Sequence, residues 1–513
     1  MNNILAPVIS YWKARRRRLA LYLVSVPIHP IYSDSRGAHI LRRAISVFGS
    51  KARYFLSVYL VHMGRLRLAL ETLGEDNSLP SMLQARLRHC LEVLDRPSAP
   101  ATQTSARSLP RLSFNGRVLL ALHSALPRHI AGYSIRSHTI LKALGLAGIS
   151  ASAVTRPGYP VDMDSGAAPG TENYEGQTYH HLPLPAVPMN AGPDSEYIEG
   201  YADGIAQLAV EKKAGLIHGC SNFFNGLAAI EAAAKLGVPA IYEVRGLWYV
   251  TTSTTMPWLA ESDWIKYQAA MEQEAARRAD LVVTLSTPLR DHIVSWGVPE
   301  ERVAVIGNAV DTKKFAPRPQ TGSSVPGLRG ATTIGFIGSL TAYEGLDDLI
   351  SAVEMLVTKG KDVGLLVVGD GPERQRLEKR ASRLLRDSRA LFVGRVPPEK
   401  VTDYYAQCDI LPLPRIDSPL TRLVSPLKPL EIMSMGKALI VSDLPAMQDA
   451  GVPDVTHLTC KASSPQSLAK SLDALIENRS LQESLGTQAR DWVLSERSIE
   501  RMGERYSSAY ADL

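Results

Sequence analysis

From Arg117 onward, apolar runs of strand length alternate with amphipathic stretches of helix length. Residues 118–122 form an unbroken apolar run, followed by a loop at 131–134 and a helical pattern to Leu146. Further runs at 150–155, 215–218, 239–244, 281–286 and 303–306 are separated by helical stretches such as 225–236, 262–279 and 288–296. Strands covered on both faces read as continuous apolar runs, and repeated strand–helix units of this kind predict a parallel, doubly wound sheet. A polar stretch rich in Pro, Gly and Ser at 316–330 interrupts the pattern, and a second set begins at Thr333. Its strands are expected at 334–337, 363–368, 390–393, 410–413 and 437–442, with helices at 346–359 and 398–408 and a helical tail at 464–510. The predicted fold class is α/β, with two doubly wound domains. Ligands of open parallel sheets bind beyond the carboxyl ends of the strands, so two such domains predict a cleft between them.

The first fifth of the chain has a different texture. Residues 54–73 and 82–94 carry apolar side chains three and four apart, broken by Gly64 and by 74–80. The expected organisation is a helical region at 1–98, a linker at 99–114, a first α/β domain at 115–318, a linker at 319–331, a second domain at 332–490, and a helix at 491–513 packing back on the first domain. Charge follows the same division. Residues 1–110 hold 16 Lys and Arg against 6 Asp and Glu, whereas the whole chain holds 57 against 51. The basic excess therefore belongs to the helical region, which suits an anionic surface such as phospholipid, or a protein partner. No nucleic-acid module is recognisable, so nucleic acid is not expected. Cys90, Cys220, Cys408 and Cys460 form no ligand pattern, and neither a signal-peptide layout nor a membrane-spanning run is visible, which predicts a cytoplasmic setting, peripheral to the inner face of a membrane.

One stretch carries chemistry. Ser425 to Gly436 reads SPLKPLEIMSMG, with two prolines at the mouth of a short helix and a buried strand after it. A helix mouth offers unpaired N–H groups and the positive end of a dipole, a setting that phosphate favours. Lys428 adds a full charge there. Glu431 adds an acceptor pair suited to two adjacent hydroxyls, such as those of a ribose. A diphosphate beside a ribose is a nucleotide-sugar.

At this point the order of motifs resembles the family 4 glycosyltransferases. The pieces are the strand–loop–helix at 120–140, His218 after a strand, YEVRG at 242–246, NAVD at 308–311 with Phe315, GSL at 338–340 with YEG at 343–345, VGDGP at 368–372, FVGRV at 392–396, and 426–437. The resemblance runs from about Arg117 to the C-terminus. It implies the GT-B fold of two Rossmann-like domains, sugar transfer from a UDP- or GDP-linked donor with retention, and no metal or further cofactor. The acceptor it implies is a glycan or lipid-linked glycan in cell-surface polysaccharide or glycoconjugate synthesis. His218 and Glu431 are assigned to catalysis on the resemblance, and Lys428 and Arg415 on their place at the helix mouth and in the loop before it. Gly132, Gly338, Ser339, Gly371, Arg395, Val396, Arg422, Leu427 and Leu430 fall at donor-binding positions, Gly371 in a turn suited to positive φ. Glu243, Arg245, Arg136 and His129 fall on the acceptor side.

The sequence departs from the family pattern in two places. Leu423 stands eight positions before Glu431, where many relatives carry an acidic residue. Ser339 and Glu344 stand where many relatives carry Arg and Lys. The expectation is a subgroup whose diphosphate clamp has moved into the loop 414–428, through Arg415, Arg422 and Lys428. A nucleotide-sugar-binding subunit with weak or no turnover, and a GT-B epimerase, are the alternatives.

Overall fold

A computed structural model describes residues 50–74, 81–96, 114–164, 166–319 and 325–513. The basic run Arg15–Arg18 and the linker at 99–113 lie outside the described residues. The first domain contains strands β1 (Arg117–Leu122), β2 (Ser150–Thr155), β3 (Gly170–Tyr174), β4 (Gln177–His181), β5 (Leu216–Cys220), β6 (Ala240–Val244), β7 (Leu281–Thr284) and β8 (Val303–Val305). They form one sheet in the order β3-β4-β2-β1-β5-β6-β7-β8. The second contains β9 (Thr332–Ile337), β10 (Val363–Val368), β11 (Ala390–Gly394), β12 (Ile410–Leu413), β13 (Ala438–Ser442) and β14 (Leu458–Cys460), in the order β11-β10-β9-β12-β13-β14. All pairings are parallel except β3 with β4. The chain has the GT-B fold of two Rossmann-like domains.

The inner strands match their apolar runs because helices cover both faces; β5, β6, β10, β12 and β13 are buried along their whole length. The β3–β4 hairpin was not anticipated. It lies at the sheet edge, is polar, and turns through Glu175 and Gly176, both at positive φ (44° and 78°), between the paired residues Tyr174 and Gln177. A two-residue loop with both φ positive is the turn that suits the right-handed twist of a hairpin.

Three N-terminal helices, Ser50–His62, Leu66–Leu73 and Ser81–Asp95, lie against the first domain. Leu60, Leu66, Leu73 and Leu87 share a core with Tyr197, Phe223 and Tyr267. The Arg86 side chain locks this contact. It donates to the Asn190 carbonyl (2.7 Å) and Oδ1 (2.8 Å), lies 3.6 Å from the buried Asp194, and stacks 5.1 Å over the Trp264 ring. The described helices are thus built into the first domain rather than standing off it.

The domains meet twice along the chain. Val310 pairs with Ser498, so the outgoing and returning segments run side by side. Helix Ile499–Ala511 then packs on helix Gly132–Leu146 of the first domain, at a contact where a Cβ on Gly503 would lie 2.3 Å from the Ala143 carbonyl. In the segment read as the second linker, Val325 and Leu328 are buried in the second core. Across the cleft, the loop after β12 reaches the first domain. Its helix Pro419–Leu423 buries Leu420 in the first core, Leu423 O accepts from Ser286 Oγ (2.7 Å), and Ser425 O accepts from Asn308 Nδ2 (3.1 Å).

Candidate active site

In the second sheet, β9 and β12 are neighbours at the centre, and the chain leaves them toward opposite edges. A crevice opens beyond their carboxyl ends at such a point. Three charged side chains converge there. Lys428, the first residue of helix Lys428–Ser434, lies with Nζ 4.5 Å from the centre of the Phe336 ring on β9. A Cβ on Gly338, just after β9, would come 2.9 Å from that Nζ. Glu344, in the short turn Ala342–Glu344, takes Lys428 Nζ at 2.7 Å and Arg415 Nη2 at 3.0 Å. Arg415 follows β12, donates also to the Val424 carbonyl (3.2 Å), and sits 5.7 Å from the Tyr343 ring.

Glu344 and Arg415 are buried, while Lys428 keeps 15% of its side chain exposed. Although burial alone would raise its pKa, the two cations hold the Glu344 carboxyl down to about 2. For Lys428, burial lowers the pKa more than Glu344 raises it. The 2.7 Å contact with an ionised carboxylate is the firmer guide, and it keeps the ammonium charged near neutrality. The cluster therefore carries one net positive charge in a nearly dry setting.

Glu431 lies one turn into the same helix and is half-buried. Oε2 accepts from Tyr405 Oη (2.8 Å), and Oε1 has no partner among the described residues. Burial raises its pKa, against the pull of Tyr405, Lys428 and Lys314. Lys314, exposed in the segment between the domains, is a charge that sequence reading passed over. The helix mouth itself offers fewer amides than expected, because the Leu430 and Glu431 N–H groups both turn to the Leu427 carbonyl (3.0 and 3.4 Å) and Pro429 has none.

Of the other donor-side positions, Ser339 is exposed at the end of β9, Arg395 is exposed beyond β11, and Val396 is half-buried against the second core. Gly371 is not a positive-φ residue; it is required by close approach, since a Cβ there would lie 2.4 Å from the Leu340 carbonyl. Leu430 is buried in the second core. Leu427 faces Gly132 across the cleft, 3.8 Å from where a Cβ on Gly132 would stand. Arg422 is not part of the cluster. It is exposed and holds both Asp417 carboxylate oxygens (2.5 and 2.6 Å).

Four of the first-domain residues are placed differently from expectation. Glu243 on β6 and His218 on β5 are fully buried, and Arg136 and Arg245 nearly so. Glu243 Oε1 accepts from Arg136 Nε (2.8 Å) and Arg245 Nε (2.7 Å); Oε2 accepts from Tyr506 Oη (2.8 Å) and lies 2.9 Å from His218 Nε2. His218 Nδ1 meets Tyr510 Oη at 2.8 Å. Arg136 continues to the Ile306 and Gly307 carbonyls and to Asn308 Oδ1. A carboxylate with four partners inside a sheet cannot reach an acceptor, so His218, Glu243 and Arg136 tie the first domain to the C-terminal helix instead. His218, Cys220 and Glu243 also lie at mutual ligand distance. Two guanidiniums already occupy Glu243, and burial pushes the Cys220 thiol up to about 12, so this trio is an ion-pair core. His129 is half-buried in the loop after β1, its Nδ1 2.8 Å from Ser124 Oγ.

This geometry has known counterparts. Residues 327–492 match the model of the glycosyl transferases group 1, and residues 131–309 match the glycosyl transferase 4-like domain. The second α/β domain thus matches the group 1 glycosyltransferases, and the first a glycosyl transferase 4-like domain. The chain is 24% identical over 284 residues to the alpha-D-kanosaminyltransferase of Streptomyces kanamyceticus, covering 54% of this chain and 72% of that protein. Among solved structures, it resembles the sucrose-phosphate synthase of Thermosynechococcus elongatus (TM-score 0.62, 18% identity, 77% of this chain and 98% of that one). It also resembles Anabaena HepE in complex with UDP-glucose (TM-score 0.57, 16% identity, 77% and 100%). The two family models fall one on each α/β domain. Among the described residues, no helix is long and apolar enough to cross a membrane.

Proposed function

We propose that the protein transfers a sugar, with retention, from a UDP- or GDP-linked donor held by the second domain to a glycan or lipid-linked acceptor held against the first. The observation that carries this reading is the meeting of Lys428 and Arg415 at the crevice between β9 and β12, with the free Oε1 of Glu431 on the same helix as Lys428. The donor diphosphate lies against Lys428 and the backbone at Gly338, and the ribose hydroxyls donate to Glu431. The acceptor oxygen bonds to the anomeric carbon on the face from which the diphosphate departs. The bond from that carbon to the phosphate oxygen breaks, its electron pair leaves with the diphosphate, and the acceptor proton passes to the departing oxygen. Positive charge set in place beforehand stabilises that oxygen as it leaves. A structural relative that binds UDP-glucose supports a nucleotide-sugar as donor.

A panel of UDP- and GDP-sugars, read by nucleotide release, tests this. One donor is expected to turn over, and the Glu431→Ala enzyme to need a much higher concentration of it. No release with any donor, despite tight nucleotide binding, would establish the second reading, a binding subunit without turnover. Glu344 favours that reading, because it spends part of the positive charge available to a diphosphate.

The setting proposed is the cytoplasmic face of a membrane, in cell-surface polysaccharide or glycoconjugate synthesis, with the basic first 110 residues meeting anionic lipid. Vesicles containing phosphatidylserine are expected to co-sediment the full chain at low salt and release it at high salt. Equal recovery with neutral vesicles would remove lipid charge as the partner.

A further inference from the structure

His123 follows β1 and Trp248 follows β6, two strand ends that the first sheet brings to the same side of the cleft. Their rings meet edge to face, with centroids 4.9 Å apart at 73°. Trp248 leaves 37% of its surface exposed, although a tryptophan is among the side chains that gain most from burial. His123 is half-buried, its amide accepted by Tyr133 Oη (2.9 Å), yet its ring nitrogens bond to none of the described residues. Beside them, Arg156 follows β2, is 3% exposed, and keeps Nε without a partner while Nη1 holds Asp162 (2.6 Å).

The position ties this group to the donor crevice. The helix Trp248–Thr255 packs against helix Pro419–Leu423 of the second domain. A Cβ on Gly246 would lie 3.5 Å from Val424, whose carbonyl is held by Arg415. The helix that begins at Trp248 and the Arg415 side chain of the cluster thus both border the segment 419–424.

We propose that Trp248 and His123 form the subsite for a pyranose ring of the acceptor, the indole lying under the apolar face of the sugar and the imidazole bonding one of its hydroxyls. A sugar ring presents C–H groups on one face and hydroxyls at its rim. An exposed indole beside an unpaired imidazole matches both. Burial lowers the His123 pKa to about 3, so the ring is neutral at working pH and offers one donor and one acceptor, as a hydroxyl requires. A lipid chain would leave both imidazole nitrogens without partners, at a cost.

This assignment of the acceptor rests on the transferase reading above, and its test is separate from it. Saturation-transfer NMR with the methyl pyranosides of glucose, mannose and N-acetylglucosamine reads sugar contact without any turnover. The full-length protein is expected to saturate the ring protons of at least one of them. Trp248→Ala and His123→Ala should each weaken that binding about tenfold, while His123→Gln, which keeps a donor and an acceptor, restores part of it. The melting-temperature rise produced by UDP or GDP should be the same in all of these proteins. Overturning results are no saturation of any pyranoside by the unmodified chain, equal saturation by the Ala variants, or loss of the nucleotide effect along with the sugar contact. Absence of nucleotide release in the donor panel bears on the transferase reading alone.

Discussion

Replacing Lys428 with methionine is expected to cut turnover by about 10²–10³-fold, the usual cost of removing one preorganised group that meets developing negative charge. Methionine keeps the length and most of the contact with Phe336, so the change is mainly one of charge. The substitution also strips one of the two cations from Glu344, which is buried and ionised. Glu344→Gln separates these effects. It frees Lys428 and Arg415 from their shared carboxylate, so nucleotide is expected to bind more tightly than to the unmodified protein. The Glu344 carboxyl is depressed in the folded protein. Its stabilising contribution is therefore full above the ordinary carboxylate range, near 4.5, and fades as pH falls toward about 2. Acid unfolding of Glu344→Gln should lack that component. Unchanged turnover in Lys428→Met, together with unchanged nucleotide affinity in Glu344→Gln, would remove this cluster from the donor site.

The second-domain candidate site was legible in outline because it is assembled locally. Lys428 and Glu431 share one short helix, and the glycine-marked turns after β9 and β10 are visible in the sequence as GSL and GDGP. What the sequence withheld was the pairing. Glu344 stands 71 positions before Arg415 and 84 before Lys428, and its reading as a lost lysine gave no sign that its carboxylate would bridge the two. Arg422 looked equivalent to Arg415 because both lie in one loop. Only the turn of helix Pro419–Leu423 sends Arg422 outward to Asp417. The inner strands were legible from their unbroken apolar runs, whereas the edge hairpin was not, since an edge strand open to water has no need of an apolar run.

The first-domain residues were misplaced for a reason that yields the largest expected loss of stability. Glu243 sits inside the apolar run Ala240–Val244. An acidic residue there is either at the end of a strand, reaching the cleft, or inside, paid for by cations. The sequence alone does not choose, because the neighbouring Arg245 can pair with Glu243 in either setting, while the second cation, Arg136, is 107 positions away and the hydroxyl of Tyr506 is 263 positions away. With those partners present, the Glu243 pKa falls well below the ordinary range in spite of complete burial, Arg245 and Arg136 being the charges responsible. Glu243→Ala leaves two guanidiniums in the core without their carboxylate and loosens His218 and Tyr506 as well. The expected cost is about 3–5 kcal/mol, the range for breaking a buried pair by removing one partner. Glu243→Gln keeps the shape and one acceptor oxygen, so it should fall between Ala and the unmodified chain. Because Tyr506 lies on the C-terminal helix, and Arg136 reaches Asn308, which in turn holds Ser425, the loss should spread beyond the sheet. Hydrogen exchange in Glu243→Ala is expected to rise in the helix Ile499–Ala511 and in the loop before helix Lys428–Ser434. A variant that melts with the unmodified protein and shows unchanged exchange in both segments would return Glu243 to the list of cleft residues.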